Sequence, residues 1–219
     1  MSEKLDYKKA FPDLYAPKQA PALVEVPPMT FIMVDGKGDP NEEGGSYQQA
    51  VGLLYGLTFA IKMSRKSGDA PEGYFEYVVP PLEGLWWSED DLWHGESAPD
   101  KSRFCWTSMI RQPEFVTPQV FEWAKGALAK KKPELDLSRA RLETFCEGLC
   151  VQAMHVGPYD AEPETLARMQ RFALDSGCRE ELENGRRHHE LYLGDPRRTA
   201  PQRLRTVLRH PVKRAGLSS

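Results

Sequence analysis

Between residues 46 and 65 apolar side chains recur at Ala50, Leu54, Leu57 and Ile61, the spacing of one face of an α-helix. A neighbouring stripe carries Tyr47, Val51, Tyr55 and Thr58. So wide an apolar face predicts partners on two sides, either as core throughout or with the second stripe lining a pocket. Ser46 stands where an N-cap is wanted, and residues 29–34 ahead of it read as a strand. Residues 35–45 between them form a glycine- and acid-rich loop, and the proline-dotted residues 14–28 read as an extended arm. Aromatic and β-branched runs at 74–79, 82–87 and 104–110 predict three further strands. Thr117-Pro118 then opens a helix with Val120, Phe121, Ala124 and Leu128 on its buried side. Lys130, Lys131 and Lys132 sit at its end, where the helix dipole favours cations, and Pro133 closes it.

The second half repeats this order. Residues 149–156 read as a strand, Gly157-Pro158 as a turn, and 162–176 as a helix burying Leu166, Met169 and Ala173. Strands at 188–193 and 203–208 follow, around a turn at 194–201. Strand–helix–strand–strand thus occurs twice, with Gly36 and Gly157 at matching places. The expected class is α+β: duplicated βαββ units forming a mostly antiparallel sheet with the helices on one face. Residues 1–219 are read as one domain, with an arm at 1–27, a first half with an extra helix at 28–132 and a second half at 133–219.

Composition narrows the function classes. With a net charge of -3 and 28% charged residues, no global field selects nucleic acid or a membrane surface. No apolar run is long enough for a membrane helix, and the polar, lysine-bearing start shows no secretory signal, so a cytoplasmic protein is expected. Cys105, Cys146, Cys150 and Cys178 are expected to be reduced, buried and small-apolar in role. Cys146, Cys150 and His155 lack the second ligand pair of a zinc site, so no metal is expected. Between Gly36 and Asn41 the third glycine of a dinucleotide fingerprint is missing, and Asp39, Glu42 and Glu43 would repel a pyrophosphate. From Arg186 onward nine Lys or Arg residues face two acids, yet Arg203 and Arg205 alternate with Leu204 and Thr206. That is the pattern of one solvated strand face, and direct DNA binding is not expected.

Aromatic residues carry the candidate chemistry. Trp86, Trp87, Trp93, Phe104, Trp106, Phe115 and Tyr192 fall on predicted strands or their ends. By strand parity Phe104, Trp106 and Ser108 share one face, and His188, Glu190 and Tyr192 share another. A carboxylate beside an aromatic is either an exposed edge charge or a buried ligand-binding group, and the pattern leaves both open. His155, His188, His189 and His210 read as ordinary strand residues rather than haem ligands.

Residues 188–199, His-His-Glu-Leu-Tyr-Leu-Gly-Asp-Pro-Arg-Arg-Thr, resemble the terminal motif of GyrI-like small-molecule-binding proteins, as does 154–159, Met-His-Val-Gly-Pro-Tyr. Leu53-Leu54-Tyr55, residues 81–87 and residues 106–113 are similar to a longer, stand-alone subgroup associated with hydrolysis of cyclopropane-bearing DNA alkylators of the yatakemycin type. The resemblance implies a pseudo-two-fold pair of βαββ units around a central ligand cleft, the fold that multidrug-sensing regulators fuse to helix-turn-helix domains. No such helix-turn-helix pattern is seen here, so a regulator of that design is not expected. It also implies Glu190 as the catalytic acid or base and an aromatic cage of Tyr55, Trp86, Trp106, Phe115 and Tyr192. The hydroxyl of Tyr55 or Tyr192 would serve a developing oxyanion. Neither metal nor organic cofactor is implied. Hydrophobic aromatic or cationic small molecules are the expected ligands. A sequestering drug binder, a gyrase-inhibitor-like partner and, more weakly, a tetrapyrrole binder stand as alternatives.

Overall fold

The computed structural model describes residues 4–88 and 101–215; Trp93 and the acidic connection around it lie outside them. In chain order the elements are α1 (Tyr7–Ala10), α2 (Pro12–Tyr15), β1 (Ala22–Val26), β2 (Met29–Lys37), α3 (Ser46–Ser67), β3 (Leu82–Ser88), β4 (Phe104–Arg111) and α4 (Pro118–Lys131). Then come β5 (Ala140–Phe145), β6 (Gly148–Val156), α5 (Glu162–Asp175), β7 (Cys178–Glu180), β8 (His188–Tyr192) and β9 (Arg205–Arg214). The chain is α+β, and within each of its two compact units the strands pair antiparallel.

The first unit comprises Met29–Phe145 with the N-terminal Met1–Asp6. Its strands run in the order β3-β4-β2-β5. Every residue of β4 is buried. Helix α3 packs on β2, β4 and α4, and its predicted stripe of Ala50, Leu54, Leu57 and Ile61 has lost all solvent exposure. In the second stripe Thr58 is buried and Tyr47, Val51 and Tyr55 are half-buried. Gly45, not Ser46, is the N-cap, and Ser46 is the first helical residue. Gly68 ends the helix at φ 82°, where only its lack of a Cβ makes the left-handed turn free of strain. Thr117 caps α4 as predicted, its Oγ1 accepting from the N–H of Val120 at 3.3 Å.

Two further expectations fail in this unit. Residues 74–79 form no strand beyond a parallel bridge of Tyr77 to Leu5. Their polar groups turn to α3 instead: Lys62 Nζ donates to the Tyr77 carbonyl, and Tyr74 OH donates to the Lys62 carbonyl at 2.8 Å. Their rings gather on Phe115, with Tyr74, Phe75 and Tyr77 at centroid distances of 5.2, 5.3 and 6.0 Å. Aromatic packing has overridden β-propensity here. The loop expected from residue 35 begins later, because β2 runs to Lys37 and includes Gly36. A Cβ on Gly36 would lie 2.1 Å from Trp106 Cη2, so glycine is needed there for the indole to lie against the backbone.

The second unit comprises Tyr7–Pro28 and Cys146–Ser219. Its strands run β1-β6-β9-β8, with β7 paired to β9 between Cys178 and Arg214. The extended arm therefore contains a true strand, β1, paired along β6. A 3-10 turn at Pro201–Arg203 delays β9 to Arg205, and the strand continues past the predicted end at residue 208. Helix α5 covers one sheet face, enclosing Val151, Ala153, Met169, Ala173, Cys178, Leu208 and Val212. Leu166 is only half-buried, while Glu162 and Thr165 are buried in its stead. Cys146 is exposed, contrary to expectation. With β7 set aside, β6-α5-β8-β9 repeats β2-α3-β3-β4, and the two strand orders match position for position. Among the described residues no helix is long and apolar enough to cross a membrane.

Candidate functional site

Strand alternation splits the second unit into two chemically different faces. On β8, His188, Glu190 and Tyr192 point one way and His189 and Leu191 the other. Glu190 is paired in register with Leu208, which belongs to the core beneath α5. The Glu190 face is thus the α5 face.

What brings further groups to Glu190 is the turn after β6. His155 Nδ1 lies 3.0 Å from Thr165 Oγ1 and its Nε2 lies 3.1 Å from the Pro158 carbonyl, pinning the turn to the first residues of α5. Glu162 is the first residue of that helix and is 7% exposed. Ligand atoms of Glu162, His188 and Glu190 lie within 4.8 Å of one another. His188 Nε2 is 3.0 Å from Glu190 Oε1, so the ring N–H donates to the carboxylate. Glu162 Oε1 is buried with no hydrogen-bond partner. Burial, then the charges of Glu190 and Asp160, push the Glu162 carboxyl far above the ordinary range. A neutral Glu162 carboxyl thus lies beside the His188–Glu190 hydrogen bond.

Tyr159, in the turn ahead of α5, meets Tyr192 edge-on at 6.0 Å. Burial and the nearby charges of Glu190, Glu162 and Asp195 push its phenol up to about 12, so it remains a neutral donor. Beyond His188 the hydrogen bonds continue. Its Nδ1 is 2.7 Å from His210 Nε2, and His210 Nδ1 is 2.7 Å from Glu180 Oε1. Burial lowers the His188 pKa first of all, against the opposing pull of Glu190.

Of the residues singled out in the sequence, Glu190 and Tyr192 fall in this cluster. Trp86 and Trp106 lie in the first unit as a direct cross-strand pair, and both pack on Tyr47 at 5.4 and 5.1 Å. Trp106 has no exposed surface. Phe115 centres the Tyr74–Phe75–Tyr77 group, and Tyr55 stacks on Phe59 at 6.2 Å. Glu162, Tyr159, His188, His210 and Glu180 are the participants that sequence reasoning missed. The two histidines and Glu190 had a legible signal in strand parity, whereas the partners on α5 and β7 had none.

Comparison with known proteins gives a consistent picture. The model of the GyrI-like small molecule binding domain matches residues 19–213. An uncharacterized conserved protein from Listeria innocua is 48% identical, with a TM-score of 0.88 over 96% of this chain and 100% of that one. A hydrolase from Listeria innocua is 47% identical, with a TM-score of 0.87 over 96% of this chain and 100% of that one. Among curated proteins none matches the sequence.

Proposed function

The chain belongs to the family of GyrI-like small-molecule-binding domains, and from that premise we propose that it hydrolyses cyclopropane-bearing DNA-alkylating compounds with Glu190 as the base. The observation that carries the reading is a buried carboxylate hydrogen-bonded to His188, beside a second carboxyl that keeps its proton, with a tyrosine on the same strand face. A buried acid that keeps its proton beside a second carboxylate is suited to acid–base work. The similarity to a hydrolase supports the same reading.

In the proposed step Glu190 takes one proton from water while the water oxygen bonds to the cyclopropane methylene. The ring C–C bond breaks, and its electron pair passes into the conjugated carbonyl, whose oxygen becomes a phenolate. That oxygen then takes a proton. Glu162, held protonated, and the neutral phenol of Tyr159 can supply it, and Tyr192 lies beside Tyr159. Tyr55, Trp86, Trp106 and Phe115 all belong to the first unit and are proposed as ligand-contacting groups of that unit. Aromatic faces favour the developing cationic carbon.

A second reading, a binder that sequesters cationic aromatic compounds, is favoured by the Glu162–Glu190 pair itself. A ligand cation would take the place of the shared proton.

Mass spectrometry of an activated cyclopropane incubated with the protein separates the two. Glu190→Gln should lower turnover by about 10²-fold or more. It should weaken a cationic dye and leave a neutral one nearly unchanged. Equal turnover by the wild type and Glu190→Gln removes Glu190 from the chemistry. No turnover by the wild type, with loss of cation affinity in the variant, leaves the binder. Trp106→Ala should weaken a flat ligand by about 1–3 kcal/mol if the indole is a wall; unchanged affinity in a folded variant makes it core alone.

A further inference from the structure

Glu190 does not end in the site. From its Oε1 three hydrogen bonds run in series, to His188, from His188 to His210, and from His210 to Glu180, at 3.0, 2.7 and 2.7 Å. The line starts on β8, crosses to β9 and finishes on β7, whose Glu180 side chain is 14% exposed against 1% for His188 and 6% for His210. Each contact joins two atoms that both carry lone pairs when bare, so each needs one proton. Two neutral imidazoles bring two protons. The third leaves the line with a single positive charge between two carboxylates, or else with one carboxyl protonated.

We propose that His188, His210 and Glu180 act as positioning residues, a charge relay that keeps Glu190 anionic by holding one shared positive charge behind it. This rests on the reading of Glu190 as the working carboxylate. In the resting arrangement Glu190 accepts from His188 Nε2–H, His188 Nδ1 accepts from His210 Nε2–H, and His210 donates its second N–H to Glu180. The charge rests at the His210 end, next to Glu180. Placing it there agrees with the burial that disfavours a cation on His188. It also gives Glu180, the carboxylate at the far end of the line, a function, since it faces inward onto His210. When Glu190 takes a proton from water in turnover, it takes it on Oε2 while Oε1 keeps the bond from His188 Nε2–H, and the positive charge stays on His210 beside Glu180.

Other titratable groups face the same line. Glu162 from α5 and Tyr159 from the preceding turn face Glu190, His189 neighbours His188 on β8, and Asp195 lies beyond the end of β8. Removing the negative charge of Glu180 would by distance alone make Glu190 easier to ionise. The relay predicts the reverse, because without Glu180 the shared positive charge is no longer held.

The sign of that effect is the test. Side-chain carboxyl ¹³C and imidazole ¹⁵N NMR, followed over pH on the full chain, read the ionisation of Glu190 and of both histidines directly. Glu180→Gln should move the Glu190 midpoint up by about one pH unit or more, a tenfold change in proton affinity, and shift both imidazoles toward the neutral form. Glu180→Asp should restore the wild-type midpoint. His210→Gln, which holds the bond to His188 but cannot carry the charge, should raise it as well. A Glu190 midpoint that falls in Glu180→Gln, or histidines unaffected by it, overturns the relay. The acid limb of the hydrolysis rate should move with the NMR midpoint. A wild type without turnover overturns the hydrolase reading alone, since the NMR shifts decide the relay without it.

Discussion

The two faces of the second unit both bury charge, and they treat it in opposite ways. Away from α5, Glu147 Oε2 receives His189 Nδ1 at 3.0 Å and Arg209 Nη1 at 3.3 Å. Arg209 spends its remaining donors on Gln152 Oε1 and the Leu14 carbonyl, and Gln152 in turn donates to the Asp13 carbonyl. Burial alone would raise the Glu147 carboxyl, but His189 and Arg209 outweigh it and hold it at about 2. Under α5 burial wins instead, because Glu162 meets another carboxylate rather than a cation. One carboxylate is matched and ties the N-terminal arm to the sheet; the other is left mismatched at some cost to folding. That mismatch is where the proposed chemistry is placed.

Breaking the matched face should have the largest effect. Arg209→Met leaves Glu147 as a buried anion and should cost about 3–5 kcal/mol in chemical denaturation. A cost below 1 kcal/mol would mean that the network is incidental.

The pH dependence of stability should separate the two faces next. Glu147, with a folded pKa of about 2 against 4.5, binds fewer protons folded than unfolded between those values. Its contribution is complete above 4.5 and is lost as the pH falls toward 2. Glu162 has the opposite sign: it costs nothing below 4.5, and the cost grows as the pH rises above it, because the unfolded chain releases the proton first. Denaturation midpoints should therefore show an acid-side loss that Glu147→Gln removes and a neutral-side decline that Glu162→Gln removes. Identical profiles in the wild type and both variants would erase the distinction.

At pH 7 Glu162→Gln should be stabilising by about 1 kcal/mol, the sign expected when a buried acid gives way to an amide. Thermal melts check it, and a loss of stability would show Glu162 to be matched by partners of its own. Smallest of all, Tyr192→Phe should change stability by less than about 0.5 kcal/mol, leaving any effect to appear in ligand affinity by titration.

How far these faces were legible in the sequence depended on how local their causes are. The α3 stripe of Ala50, Leu54, Leu57 and Ile61 and the Thr117 cap follow from neighbours within a turn or two, and periodicity finds them. Strand parity placed Glu190 with His188 and Tyr192, and the family resemblance marked Glu190 as functional. Parity could not say that Glu162 would be turned inward at the first residue of α5, a position where an acid normally faces solvent and the helix dipole. That depends on His155 holding Thr165, ten residues away in the first turn of α5. Residues 74–79 had the composition of a strand and became a packed aromatic segment because Phe115 and Lys62 compete for them. Strand β1 was hidden by the prolines that flank it, Pro21, Pro27 and Pro28, and its ladder is supplied by β6.

A ¹³C-carboxyl NMR titration of the wild-type chain tests the contrast between the faces most directly. The expected result is a Glu162 carboxyl still protonated at neutral pH and a Glu147 carboxyl ionised down to about 2. Both carboxyls titrating together in the ordinary glutamate range, near 4.5, would contradict it.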